Sequence, residues 1–145
     1  MQKLFKLLED KNYWFKKYLA ANEAFYLALQ HEPEAALDEL ELFYGNRESL
    51  LRIIEDLENK VQKEAEGPVW ASEIDSGART RIHAYIREKD SYISRIVQLD
   101  TDIIKRMEVI REEGLEKARH LAKGKKALAK YRSDKNYNER LDKKI

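Results

Sequence analysis

At 145 residues and 17.2 kDa the chain has room for one modest hydrophobic core. Hydrophobic residues make up 43% and charged residues 38%, and with only five Gly and two Pro there is too little turn material for an all-β sandwich or a doubly wound α/β domain. The absence of cysteine excludes disulfides, thiolate metal sites and cysteine nucleophiles and suits a reducing compartment, while the formal charge of +1 excludes little until its distribution is seen.

The composition therefore predicts an all-α protein, in chain order an antiparallel three-helix coiled-coil bundle over residues 1–132 followed by a flexible or short-helical tail over 133–145. Between residues 4 and 29, Leu4, Leu7, Leu8, Trp14, Phe15, Tyr18, Leu19, Phe25, Tyr26 and Leu29 fall within a sector of about 140° at 100° per residue, one amphipathic helix over about 3–31. It is expected to end at Gln30-His31-Glu32-Pro33, because the residue before proline is pushed out of the helical region and proline itself can open the next helix. The second helix, about 33–66, spreads its apolar residues over about 220°, too wide for a single neighbour. It is expected to be the middle helix, covered from two sides.

Gly67-Pro68 stops it and opens the one real loop, in which Val69 and Trp70 are expected to fold over the end of the bundle. Ser72-x-x-Asp75 has the spacing of a capping box and Ser76 is an alternative cap, so the third helix starts between 72 and 78. It then runs over about 76–131. Ile82, Ile86, Ile93, Ile96, Ile103, Met107 and Ile110 recur in steps of three, four or the seven of a skipped position, and the stripe resumes at Leu115, Ala118, Leu121 and Leu128, with no breaker but Gly114 and Gly124. At 1.5 Å per residue the helices come to roughly 40, 50 and 80 Å, so the third outruns its partners beyond about residue 110. The apolar stripe on that excess length, Leu115, Ala118, Leu121, Leu128 and Tyr131, needs a cover: a fold-back at Gly114, or another chain.

Charge is as uneven as length. Residues 117–145 carry eleven Lys or Arg against three acids, a balance of +8 that leaves the first 116 residues at −7. Three charged residues sit in otherwise apolar stripes: Lys11, Arg47 and Asp100. Each needs a partner or an edge, since an unpaired buried charge costs several kcal/mol. In antiparallel helices, facing residues have numbers with a constant sum, and the position of the loop makes Arg47 and Asp100 such a pair, expected to be a structural ion pair that sets register.

Catalytic chemistry is not legible. His31, His83 and His120 are far apart, no histidine has a carboxylate three residues before it, and there is no phosphate loop, nucleophile elbow or Ser-His-Asp set, so no enzyme, metal site or cofactor is expected. No apolar run approaches the ~18 residues of a membrane span, and the N-terminus has no signal-peptide pattern, so a soluble cytoplasmic protein is expected. Nine of the fourteen aromatics lie in residues 1–44, and Tyr13-Trp14-Phe15 cannot all face one core.

The third helix contains Ile93-x-x-Ile96-Val-x-Leu99-Asp100-x-x-Ile103 and closes with Glu116-Lys-Ala-Arg-His-Leu-Ala-Lys-Gly-Lys-Lys-Ala-Leu-Ala-Lys-Tyr131. These runs resemble the small flagellar type III export chaperones of the FlgN and FliT kind, in which a long helix commonly closes with a Gly-Lys-x-Ala-x-x-Tyr-like sequence. The acidic, Leu-rich hairpin over 34–57 agrees in style. The resemblance is loose over most of the chain and specific over 121–131. It implies a cytoplasmic chaperone that holds an amphipathic terminal helix of a filament-cap or hook-associated protein in an apolar groove and delivers it to the export gate. The groove would map to Leu115, Ala118, Leu121 and Leu128, with Tyr131 matching the terminal tyrosine, and Tyr137 and Leu141 would belong to a docking tail. The alternatives are a coiled-coil scaffold or adaptor with no export role, a homodimer through the excess length of the third helix in that reading, and, second, nucleic-acid binding by the basic end. The last is disfavoured because no aromatic interleaves with the lysines before Tyr131.

Overall fold

The residues of the first helix, Leu4, Leu8, Lys11, Phe15, Tyr18, Asn22, Phe25 and Leu29, follow one another in alternating steps of four and three, which keeps them on one stripe of a helix that packs along its length. In the computed structural model, which describes residues 1–67 and 74–144 with side chains through 129, that helix is α1, Gln2–His31. It is followed by α2, Pro33–Asp38, α3, Leu40–Ala65, and α4, Ser76–Lys144. The protein is all-α, and no strand occurs among the described residues. The chain divides into two units, Met1–Arg106 and Met107–Ile145.

In the first unit α1 and α3 are antiparallel. Lys3 Nζ lies 3.5 Å from Glu64, Lys11 pairs with Glu58, Arg47 Nε donates to the Tyr18 hydroxyl at 2.7 Å, and the Phe25 and Phe43 rings stack 4.0 Å apart, so numbers fall on α3 as they rise on α1. α4 runs parallel to α1. Asn12 Nδ2 donates to the Tyr85 carbonyl at 3.0 Å, Asn22 Nδ2 to Asp100 Oδ1 at 2.8 Å, and Arg95 Nη2 to Glu23 Oε1 at 2.7 Å, with nearly constant separation in sequence. Between the helices Tyr18, Leu19 and Ile96 form a buried cluster against Phe15, Leu50, Tyr92 and Leu99.

Four sequence expectations are corrected. The second helix is not continuous: Glu39, at φ −96° and ψ 7°, tightens the chain into a turn in which its N–H reaches the Ala36 carbonyl at 3.1 Å, and α3 starts afresh with Phe43 N–H on the Glu39 carbonyl. No glycine or proline announces this break. The middle helix is α1: eight of its residues are buried against three on α3, where Leu42 and Leu51 stay exposed and the wide apolar arc is only partly covered. The cap of α4 is not Ser76 but Asp75, whose Oδ1 accepts the Ala78 N–H at 2.7 Å and so satisfies one of the donors a helix start leaves open. Finally, α4 does not stop at 131. Residues 132–144 contain no Gly or Pro to end it, and they continue the helix to Lys144 in place of the separate tail expected over 133–145. Val69, Trp70 and Ser72 lie outside the described residues.

Candidate partner-docking face

Within the second unit, Met107, Ile110, Gly114, Lys117, Leu121, Gly124 and Leu128 keep a strict four-three spacing. That is the pattern of a coiled-coil seam with some of its apolar residues replaced by glycine and lysine. α4 passes through Gly114 and Gly124 without a break. A Cβ built on either glycine would meet nothing within 4 Å. At Gly124 this leaves an open notch, with Leu121 and Leu128 on either side, 74% and 72% exposed. Lys117, His120 and Lys125 complete the lining of this shallow concavity. It offers two apolar projections about 10.5 Å apart along the helix, a space between them, and positive charge on its borders. Such spacing is what a seam between two packed helices requires.

The residues named from sequence do not all share it. Leu121 and Leu128 come together on this face. Leu115, also exposed, lies on a different side of the helix with Val109, Glu112, Glu113, Glu116 and Arg119. Ala118 is exposed and lines neither surface. One continuous stripe from Leu115 to Leu128 is therefore not formed, because Leu115 is one residue out of step with Gly114 in the seam. Tyr131, Tyr137 and Leu141 fall within α4, and their side chains lie outside the described residues.

In the first unit Arg47 and Asp100 do meet, Nη2 to Oδ2 at 3.0 Å, as their register requires. The pair belongs to a larger polar group. Arg47 also donates to Tyr18 and lies over the Tyr18 and Phe43 rings at 5.0 and 5.2 Å, and Asp100 also accepts from Asn22. Asn22 is fully buried, and its Oδ1 has no hydrogen-bond partner among the described residues. The sequence reading missed Asn22 and Asn12, although the signal was there: Asn22 occupies a seam position between Tyr18 and Phe25. Lys11, the third charge expected to need a partner, has Glu58.

No family model, no curated protein and no solved structure matches this chain. Among the described residues no helix is long and apolar enough to cross a membrane, and no three His, Cys, Asp or Glu side chains gather as a metal site would require.

Proposed function

We propose that this protein acts by binding and not by catalysis, holding an amphipathic helix of a client protein against the Leu121–Gly124–Leu128 face. The observation that carries the reading is the pairing of two exposed leucines seven residues apart with an open glycine between them, in a seam spacing. Exposed leucines of this kind are costly in water unless a partner covers them, and anchors at i, i+3, i+4 and i+7 of a docked helix suit such a face. The resemblance of 121–131 to flagellar export chaperones supports the more specific form of the proposal. In that form a cytoplasmic chaperone keeps the terminal helix of a filament-cap or hook-associated protein from aggregating and hands it to the export gate.

The test is capture from the native cytoplasm, read by mass spectrometry, with wild-type protein beside Leu121→Asp/Leu128→Asp. The wild type is expected to retain a client that the variant loses, with far-UV circular dichroism unchanged. Equal capture by both proteins would remove the client from this face.

A further inference from the structure

The second half of α1 is apolar around more of its circumference than its neighbours cover. From 18 to 29, apart from tyrosine hydroxyls, the only polar side chains are Asn22 and Glu23. A helix that is apolar all round is normally buried all round. Yet Ala20 and Ala24 are exposed, and Leu27 is 54% exposed. Beside them a shallow groove runs between α1 and the α2–α3 corner. Ala21, Ala24, Ala28 and Ala36 line it with small side chains, and Phe25 and Leu42 border it, Leu42 being 64% exposed. Small residues allow another helix backbone to come close. The surroundings are acidic: Glu39 lines the groove, and Glu34, Asp38 and Glu41 flank it in sequence, none in an ion pair among the described residues. The missing cover is thus a helix with apolar projections and basic borders.

The chain carries such a helix. Residues 117–128 hold Lys117, Arg119, Lys123, Lys125 and Lys126 with no acid among them, and Leu121 and Leu128 project without a cover. Their spacing of seven residues, about 10.5 Å, equals that of Ala21 and Ala28 along the groove. We propose that residues 117–128 of one copy lie in the alanine-lined, acid-bordered groove of a second copy. The charges of −7 over 1–116 and +8 over 117–145 favour this encounter over contact between like ends. The pairing uses the face assigned above to a client, but it does not rest on the client reading. The two occupants would compete.

The experiment is the mass of the full-length protein in solution, by light scattering and sedimentation, from low to high micromolar concentration at low and high salt. A two-chain species at low salt that dissociates as salt rises is expected. Glu39→Lys/Glu41→Lys and Lys117→Glu/Lys125→Glu should each run as monomers, and mixing them should restore a two-chain species, because each basic segment then meets an acidic groove and the reverse. Ala24→Trp, which fills the groove from an exposed position and keeps all charges, should also be monomeric with unchanged helicity. A wild type that stays monomeric throughout, a mixture that does not associate, or an Ala24→Trp variant that still dimerises through its basic ends would overturn the proposal. Because Ala24→Trp leaves Leu121 and Leu128 untouched and frees them from the second copy, its client capture is expected to be no lower than the wild type's, so failure of one reading is distinguishable from failure of the other.

Discussion

Replacing Asp100 with alanine tests the polar group at the centre of the bundle. Asn22 is fully buried and its Nδ2 has Asp100 as acceptor at 2.8 Å, while its Oδ1 already lacks a partner among the described residues. Removing the carboxylate strands the amide donor, a loss of about 1–3 kcal/mol. Arg47 is affected less: its side chain is 21% exposed, it keeps the Tyr18 hydroxyl and two aromatic rings, and water can replace part of what it loses. Discounted for that solvent access, its share is on the order of 1 kcal/mol, giving about 2–4 kcal/mol in all. Arg47→Ala should cost only about 1–2 kcal/mol, because Asp100 keeps Asn22 and its 30% exposed side chain reaches water. In urea unfolding followed by circular dichroism, the Asp100→Ala midpoint should fall by about 1–2 M for an m-value of ~2 kcal/mol/M. In the Asn22→Ala/Asp100→Ala double variant the two losses should be less than additive by about 1–2 kcal/mol, since the stranded donor is gone. An Arg47→Ala variant less stable than Asp100→Ala, or additive losses in the cycle, would refute the argument.

Leu29→Ala, at a side chain with no exposure, should lower stability by about 2–5 kcal/mol in the same unfolding assay. For Lys11 and Glu58 the two single changes should differ. Lys11→Met keeps the packed stem and removes a charge that is mostly buried, so a change within about 1 kcal/mol is expected. Glu58→Ala leaves that ammonium without its partner and should cost about 1–3 kcal/mol. Gly114→Ala and Gly124→Ala, where an added methyl meets nothing, should each stabilise the helix by roughly 0.5–1 kcal/mol, visible as a higher melting temperature. At Gly124 the same methyl fills the notch and should weaken capture of a client helix.

The helical class was legible because periodicity is a local property: the seam from Leu4 to Leu29 and the scarcity of Gly and Pro leave little alternative. The register of Arg47 against Asp100 was legible for a related reason, since a charge in an apolar stripe must be matched and antiparallel geometry allows few partners. The break at Glu39 was not, because it depends on a single backbone ψ near zero and uses no breaker residue. The docking face was legible only in part. Counting apolar residues joined Leu115 to Leu121 and Leu128, whereas the helical geometry places Leu115 among Glu112, Glu113 and Glu116 and leaves the two later leucines together beside Gly124.

By itself the sequence determined that this protein is helical, where its first helix runs, and that its charge divides between an acidic first 116 residues and a basic end. Those properties follow from residue spacing and composition along one chain. Tertiary structure decided which helix is central, that Asn22 shares the Arg47–Asp100 pair, and which surfaces stay bare. These depend on how much of each helix its neighbours cover, and an apolar arc measured on one helix carries no record of what lies against it.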